Sequence, residues 1–443
     1  MNPLLERFNL HNQHWEGLDR FKNHDPQLKR LEGLPYLYKS PLLAEIPTEI
    51  SGIYLLDGGR QVGKSTLLKQ LMQSVLEKGQ FSADHILFLT GEIIRNQDDL
   101  RRTLEVFLNG KNGRILILLD EVGYIKDWDR AIKYLADAGR FDQASVILTG
   151  SNSVIIKDAM KRFPGRRGKA DQVNFHYYPL SFAEFVNLRN KTVPDSKGLF
   201  KEFSVYLKTG GYLTAINELA LHGKIGNATL ATYQEWILGD FLDFNKSETY
   251  LRQILKGILS RYGSTYSWNA LSKELSIDHH KTVSDYCELL SQMDAVYILS
   301  ALREDKLAAA PKKNKKIYFS DPFIFHAAYH YVNQTASAWN EGICDIDQSA
   351  FVSALVEGVV ANHFRRYYPT YYLKAEQEID VVYVKNQKIF PVEVKWTNQL
   401  RWDELKYLKK YESPRIAAKV EQQQSLNGLE VIPIPELLLN LHR

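Results

Sequence analysis

Residues 53–71 read IYLLDGGRQVGKSTLLKQL, and this stretch decides the fold of the first part of the chain. Four apolar residues precede a glycine-rich loop, and residues that suit a helix follow, so the pattern predicts a strand, a loop and a helix. The loop fits GxxxxGK[ST] from Gly58 to Ser65, the spacing of a loop that wraps a polyphosphate. The sequence therefore predicts a phosphate-binding loop at the start of a helix.

Each position of this loop has a physical role in that interpretation. Gly58 and Gly63 let the backbone bend so that successive N–H groups converge on phosphate, and the helix N-terminus adds its positive end. Lys64 is expected to reach the terminal phosphates, and Ser65 to ligate Mg²⁺. A chance glycine turn before a helix is the alternative. The predicted nucleotide-binding residues of the loop are Gly58, Gly59, Arg60, Gln61, Val62, Gly63, Lys64, Ser65 and Thr66.

A second sequence element, which ends in two acidic residues, follows the glycine-rich loop. Residues 115–119 form the apolar run ILILL, which ends in Asp120 and Glu121. At the carboxyl end of a buried strand, Asp120 is predicted to lie beside the metal ion and Glu121 to polarise the attacking water. A solvated strand end would carry the same acidic pair. The pair nevertheless follows the loop in the order that a nucleotide-hydrolysing site requires.

Two further features are candidates for sensing or stabilising the γ-phosphate. The apolar run at residues 146–148 leads into Ser151 and Asn152, which are predicted sensors on a strand between the first two; capping of the strand end is the alternative. A glycine-flanked pair, Arg166 and Arg167, follows on a loop. Arg166 is predicted to stabilise transition-state charge, within the chain or across a subunit boundary, unless the loop is simply solvated.

The alternation of elements predicts the architecture. Apolar runs between Gly52 and Leu180 alternate with amphipathic stretches, which is typical of an α/β fold with a parallel sheet and crossover helices on both faces. Three helices and two apolar strands follow within residues 248–319, the outline of a winged helix. The predicted divisions are an N-terminal segment at 1–40, a P-loop ATPase core at 41–180, a helical subdomain at 181–245, a winged helix at 246–325 and a C-terminal α/β domain at 345–443.

The predicted winged helix has a polar and an apolar side. On its third helix the residues expected to face inward are Val283, Cys287, Leu290 and Met293, and those expected to be exposed include His279, His280 and Lys281. The exposed side would suit the major groove of DNA, although such domains also bind proteins. Four lysines of the wing are predicted to contact phosphates: Lys312, Lys313, Lys315 and Lys316.

The C-terminal part carries two carboxylates and a lysine in close spacing. Residues two apart on a strand point to the same face, so Glu393 and Lys395 are predicted to project together, and Asp380 to join them from the preceding strand. With Asp380 and Glu393 as Mg²⁺ ligands and Lys395 beside them, the trio suits phosphodiester cleavage, and Glu357 is a fourth candidate. Any half-exposed strand alternates in this way, so a fold without activity is the alternative.

Several motifs together carry a family resemblance: residues 58–71, 118–122 with Trp128, 148–153, Gly165 with Arg166, 179–185 and 210–212. They resemble a prokaryotic family of AAA-like ATPases with a C-terminal domain of uncharacterised function that is similar to restriction endonucleases. The resemblance runs from about Ile50 to Val394 and implies ATP and Mg²⁺. Gly59 stands where the family pattern has proline, which removes no phosphate ligand. Asp380, Glu393 and Lys395 resemble the PD-(D/E)XK nuclease core, with Ile379 at the proline position.

Composition excludes few classes of function. The chain has 443 residues, 44% of them hydrophobic, with a formal net charge of +4 and a pI near 8.6, so a nucleic-acid partner is allowed but not required. The two cysteines, Cys287 and Cys344, fit no metal or redox spacing and favour a reducing compartment. Signal-peptide and membrane-spanning patterns are absent, so we expect a cytoplasmic protein without a membrane partner.

Two functions remain as hypotheses. The first is a Mg²⁺-dependent ATPase whose nucleotide cycle controls DNA engagement and, if the C-terminal trio is active, DNA cleavage. The second is an ATP-dependent switch or scaffold that binds a protein partner and carries an inactive nuclease-like domain. The intact trio favours the first, and the lack of a strongly basic surface favours the second. The oligomeric state stays open, because Arg166 acting in trans would require an assembly.

Overall fold

The chain divides into two compact units. A computed structural model describes residues 3–150, 161, 163, 165–374 and 377–441. The first unit is Met1–Tyr178 and the second is Pro179–Arg443.

The first unit is built on a parallel sheet. Its strands are β1 Gly52–Asp57, β2 Ile86–Thr90, β3 Ile115–Asp120, β4 Ala144–Thr149 and β5 Asn174–His176. They lie in the order β2-β3-β4-β1-β5, and every pair is parallel. The predicted α/β core with a parallel sheet is confirmed. The third predicted strand, β4, lies between β1 and β3, as the sequence indicated.

Apolar runs form these strands because both faces of the sheet are covered. Among the described residues of this unit, the α-helices are α1 Pro3–Glu6, α2 Leu18–His24, α3 Pro26–Lys29, α4 Leu42–Glu45, α5 Lys64–Glu77, α6 Gln97–Leu108 and α7 Trp128–Asp137. Ile53 and Leu55 of β1 share one core cluster with residues of α6 and α7. Tyr54 and Leu56 alternate with them along β1 and are also buried. Burial on both faces explains the unbroken apolar pattern of β1.

The N-terminal segment packs into this unit. The side chain of Asn12 pairs with the backbone of Phe88 on the edge strand β2, donating to its carbonyl at 2.8 Å and accepting from its N–H at 2.8 Å. On α5, Lys69 is fully buried and its ammonium lies 2.9 Å from the carboxylate of Asp25. The same ammonium lies 3.8 Å from the centre of the Phe88 ring. The segment therefore covers the sheet edge and is tied to the helix that follows the phosphate loop.

We predict that Asp25→Asn destabilises the first unit strongly. Asparagine keeps the acceptor that caps α3, but it leaves the buried ammonium of Lys69 without its counter-charge, at a cost of about 3–5 kcal/mol. Urea denaturation monitored by circular dichroism measures the change. The matched control is Lys22→Gln. Lys22 lies in the same N-terminal segment, and the substitution removes its exposed ion pair with Glu77 of α5. An exposed pair contributes about 0–1 kcal/mol, so equal losses in the two variants would contradict the prediction.

The second unit begins with helices. They are α8 Phe182–Arg189, α9 Ser196–Thr209, α10 Leu213–His222, α11 Asn227–Asp243, α12 Glu248–Ser260, α13 Trp268–Glu274 and α14 His280–Gln292. The turn between α9 and α10 packs closely against other parts of the second unit. Gly210 has a φ of 55°, and a Cβ on Gly211 would collide with the backbone of Leu180. The buried carboxylate of Asp321 accepts a hydrogen bond from the Gly211 N–H at 2.9 Å.

An antiparallel hairpin follows the helices. Strand β6 Val296–Ser300 pairs with β9 Lys315–Phe319, the short strands β7 Leu302–Arg303 and β8 Ala308–Ala309 pair between them, and α15 Pro322–Asn333 comes next. This is the element order of the predicted winged helix, whose assignment stays a prediction. The inward and outward sides predicted for α14 are confirmed, since Val283 and Cys287 are buried and His280 is exposed.

The unit ends in a mixed sheet of six strands. Its elements are α16 Val352–Arg365, β10 Thr370–Lys374, β11 Glu378–Lys385, β12 Lys388–Lys395, β13 Arg415–Ala418, β14 Gln424–Leu426, β15 Leu429–Pro433 and α17 Ile434–Leu439. The strand order is β10-β11-β12-β13-β15-β14. The first three strands are antiparallel, whereas β12, β13 and β15 are parallel. The apolar patterns of the sequence predict a helix at residues 351–364 and strands at 371–373, 379–384 and 389–394, which agree with α16 and the first three strands; the last three strands were not predicted.

Candidate functional site

The phosphate loop connects β1 to α5 and is shaped by two glycines. Gly58 has a φ of 149° and Gly63 a φ of 102°, both in the region that side chains disfavour. A Cβ on Gly58 would also collide with the carbonyl oxygen of Tyr177, the residue that follows β5. Between them Gln61 has a φ of 60°. Glycine is therefore required at Gly58 by both backbone conformation and space.

Lys64 is the first residue of α5 and lies across this loop. Its ammonium donates hydrogen bonds of 2.9 Å and 2.8 Å to the carbonyl oxygens of Gly58 and Gly59. The side chain is 5% exposed. A cation held between a helix N-terminus and a glycine-rich loop suits the negative charge of a polyphosphate.

Ser65 and Asp120 meet beside the loop. Asp120 ends β3 and is buried, and its carboxylate accepts hydrogen bonds from the hydroxyls of Ser65 and Thr149. Burial raises the pKa of Asp120 above its ordinary value, although both hydrogen bonds act in the opposite direction. A hydroxyl and a carboxylate side by side are hard oxygen donors of the kind that Mg²⁺ uses. These two residues therefore fit the predicted metal.

The backbone of Glu121 is fixed on two sides. Its φ is 52°, an uncommon conformation for a residue other than glycine. Its N–H donates to the hydroxyl of Thr149 at 3.1 Å. Its carbonyl lies so close to Gly91, after β2, that a Cβ there would collide with it. Strained backbone of this kind is typical of functional sites, and here it turns the chain directly after Asp120.

Thr149 is the residue that sequence reasoning missed. It ends β4, donates to Asp120 and accepts from Glu121, so one hydroxyl links the two acidic residues. The signal in the sequence was a polar residue directly after a buried apolar run. The predicted sensors, Ser151 and Asn152, lie outside the described residues.

The arginine pair lies at the other end of the strands. Arg167 donates to the carbonyl of Val173 at 2.6 Å, and its own carbonyl lies 2.7 Å from where a Cβ on Gly52 would be. Gly52 is the first residue of β1, and the phosphate loop follows the last residue of β1. The two ends of this six-residue strand lie about 17 Å apart. Arg166 forms an ion pair with Asp137 at the end of α7. This placement disfavours the cis role that the sequence left open for Arg166.

The predicted C-terminal trio is brought together in the second unit. Strands β11 and β12 pair antiparallel, and Asp380 accepts a hydrogen bond from the Val394 N–H at 3.0 Å. The ammonium of Lys395 lies 2.8 Å from the carboxylate of Glu393, which also accepts from the hydroxyl of Tyr407 at 2.8 Å. Glu393 is 3% exposed. The strand is thus buried more completely than its alternating pattern suggested.

The prediction that Lys316 contacts DNA phosphates from the wing is wrong. Lys316 lies on β9 and is 1% exposed. Its ammonium lies 2.6 Å from Glu357, 2.8 Å from Glu378 and 3.4 Å from Asp380. The physical reason is that β9 packs against the C-terminal sheet, so this lysine faces acidic side chains. Lys312 and Lys313 are exposed, as the prediction of a wing contact requires.

The cluster shifts the ionisation of its members. Burial raises the pKa of Glu393 to about 7 and that of Glu357 to about 8, with the charge of Asp380 as the next cause in each case. Burial alone would lower the pKa of Lys316, but attraction by Glu357, Asp380 and Glu378 holds it above its ordinary value.

Among the described residues, no group of three or more histidine, cysteine or acidic side chains has the geometry to hold a metal ion. The metal roles of Asp380 and Glu393 accordingly stay predictions. Within the same part of the chain, no helix combines the length and apolar character needed to span a membrane.

Three family models match successive parts of the chain. Residues 51–186, which include the phosphate loop and Asp120, match a model described as an AAA domain. The phosphate loop and Asp120 therefore lie in a part of the chain that is similar to AAA domains. Residues 201–335 and 352–437 match two domains of unknown function, DUF8612 and DUF4143.

Individual proteins resemble parts of the chain more distantly. The uncharacterized protein MJ1637 of Methanocaldococcus jannaschii is 29% identical over 157 residues, which are 34% of this chain and 30% of that protein. The chain thus spans less than a third of that relative's length. A Walker-type ATPase of Pyrococcus abyssi aligns over 65% of this chain and 93% of its own at 15% identity and a TM-score of 0.44. The Aeropyrum pernix ORC2 protein aligns over 68% and 95% at 11% identity and a TM-score of 0.40.

We predict that Thr149→Val lowers ATP turnover about tenfold or more while ATP affinity changes little. Valine has a similar shape but removes the hydroxyl that joins Asp120 to the Glu121 backbone, and one lost hydrogen bond to a charged group is worth about 1.5–3 kcal/mol. Steady-state phosphate release gives kcat and KM separately.

The control is Thr149→Ser, which keeps the hydroxyl and should recover most of the turnover. A serine variant as slow as the valine variant would show that packing, and not the hydroxyl, matters at this position.

Proposed function

We propose that this chain is a Mg²⁺-dependent ATPase. The observation that carries the proposal is the meeting of Ser65, Asp120 and Thr149 beside a loop whose shape and charge suit a triphosphate. The AAA-domain match of residues 51–186 supports ATP as the substrate.

Each residue has a role that follows from its position. Lys64 binds the terminal phosphates, and the loop N–H groups bind the others. Ser65 and Asp120 hold Mg²⁺, which when bound neutralises charge on the phosphate oxygens. Glu121 orients the attacking water. Thr149 holds the Glu121 backbone and the Asp120 carboxylate in place through one hydroxyl. Phosphoryl transfer needs mainly positioning and electrostatic stabilisation, which is what these contacts supply.

Arg166 has a role only in an assembly. Within the chain its ion pair with Asp137 lies at the amino end of the sheet, away from the phosphate loop. To stabilise transition-state charge it would act on the ATP of another copy, after its contact with Asp137 is broken. The oligomeric state decides whether it does so.

We predict that Glu121→Gln binds ATP with unchanged affinity but hydrolyses it at least about a hundredfold more slowly. The amide has the same shape but is a poor acceptor for the proton of the attacking water. Binding of a fluorescent ATP analogue and phosphate release are measured on one preparation.

The matched variant is Lys64→Ala, which removes the cation of the loop and should abolish binding as well as turnover. Full turnover by Glu121→Gln would exclude Glu121 from the reaction, and undiminished ATP affinity of Lys64→Ala would exclude the loop as the binding site.

The use of the ATPase cycle is a separate proposal, and the structure of the second unit favours the switch over the nuclease. Lys316 occupies the centre of the carboxylates that a nuclease would need for Mg²⁺. DNA engagement itself is supported by the exposed His280 and Lys281 of α14, by His279 directly before this helix, and by the exposed Lys312 and Lys313. We therefore propose ATP-driven control of a DNA or protein contact without DNA cleavage.

An assay for both activities separates these alternatives. Wild-type protein is incubated with linear and supercoiled DNA, Mg²⁺ or Mn²⁺, with and without ATP, and we expect ATP hydrolysis without cleavage. Glu393→Ala and Lys395→Ala serve as controls for contaminating nucleases. Cleavage that disappears in both variants would establish the nuclease and displace the switch.

A further inference from the structure

A buried ammonium group lies inside the C-terminal carboxylate cluster. The Nζ atom of Lys316 is within 2.8 Å of carboxylate oxygens of Glu357 and Glu378 and 3.4 Å from one of Asp380. Lys316 is 1% exposed, and it comes from β9, outside the strands that carry the nuclease-like trio. A lysine buried among three carboxylates is uncommon and calls for a physical reason.

The strand that carries Lys316 is firmly docked. Tyr318, two residues further on the same face of β9, donates a hydrogen bond to Glu357 on α16. Its ring packs where a Cβ on Gly358 would come within 2.8 Å, so this position of α16 needs glycine. The hydroxyl of Tyr372 on β10 donates to the carbonyl of Asn314 at 2.6 Å. Contacts on both sides of Lys316 therefore hold its ammonium in the cluster.

Charge explains why the ammonium stays there. Removing an ammonium from water costs several kcal/mol, and only nearby carboxylates with good geometry offset that cost. Glu357, Glu378 and Asp380 supply them, while Glu393 is paired with the second ammonium, that of Lys395. A divalent cation would need the same oxygens at about 2.0–2.6 Å and would be repelled by Lys316 at contact distance.

We propose that Lys316 is the resident cation of this cluster and acts as an autoinhibitory contact, excluding divalent metal ions from the C-terminal domain while β9 is docked. The inference deepens the proposed function, because it gives the reason why the nuclease-like domain is inert. It does not depend on the ATP site. Displacement of β9 would expose the acidic side chains to solvent and to metal ions.

The test measures Mn²⁺ binding to the nucleotide-free full chain by isothermal titration calorimetry and by the electron paramagnetic resonance of free Mn²⁺. Wild-type protein should show no binding that depends on Asp380. Lys316→Gln removes the charge but keeps a polar group of similar length, and should bind one additional Mn²⁺ per chain. The additional binding should disappear in the double variant Lys316→Gln with Asp380→Asn.

Lys395→Gln is the matched control, because it removes the other ammonium of the cluster and leaves Lys316 in place, so it should bind no additional Mn²⁺. Circular dichroism shows whether each variant is folded. If Lys316→Gln does not fold, the wild-type measurement still decides, since Mn²⁺ binding that Asp380→Asn abolishes would overturn the proposal. A folded Lys316→Gln that binds no more Mn²⁺ than wild type would also overturn it.

Phosphate release is measured on the same preparations. The ATP site uses Lys64 and Asp120, which lie outside the C-terminal cluster. Absence of ATPase activity in the wild-type protein would therefore refute the proposed function and leave the Mn²⁺ result standing. Conversely, equal Mn²⁺ binding in all variants would refute the autoinhibitory contact and leave the ATPase proposal standing.

Discussion

The first unit depends on the close approach of two backbone segments, the start of the phosphate loop and the end of β5. Gly58 passes so near the carbonyl oxygen of Tyr177 that no side chain fits between them. The parallel pairing of β1 with β5 brings Tyr177 to that position. Lys64, the first residue of α5, lies across the loop and donates to the carbonyl oxygen of the same Gly58. A glycine there is therefore a requirement of the sheet as much as of the nucleotide.

Neighbouring strands complete the site at their carboxyl ends. β3 delivers Asp120, and β4, which lies between β3 and β1, delivers Thr149. Parallel strands that start at one edge must end together at the other, so polar residues far apart in the chain converge there. The same geometry places Arg166 and Arg167 at the opposite edge, because their loop precedes β5.

Three buried lysines of this protein have different surroundings. Lys69 joins the N-terminal segment to α5 through Asp25. Lys64 lies across the phosphate loop and donates to its backbone carbonyl oxygens. Lys316 is surrounded by carboxylates from its own chain, so its ammonium forms ion pairs within the protein. Whether a buried ammonium serves stability, binding or inhibition is decided by the anions that the fold places around it.

Much of this protein is determined locally by its sequence. The strands β1 to β4, the loop from Gly58 to Ser65 and the acidic end of β3 are predictable because unbroken apolar runs and glycine spacing report burial and turns directly. The inward side of α14 follows from its periodicity for the same reason. Strands β13 and β14 escaped prediction because their sequences, RIAA and QSL, contain few of the β-branched and aromatic residues that mark a strand.

What only the tertiary structure decided is which side chains meet. A run of lysines predicts a solvated wing, yet Lys316 is enclosed because β9 docks against α16 and β11. Likewise the sequence left open whether Arg166 acts within the chain or across a subunit boundary, and the fold pairs it with Asp137 at the amino end of the strands. Periodicity specifies which face of a strand is apolar, but the partner of a charged side chain depends on elements distant in sequence, and that pairing is fixed only when the chain is packed.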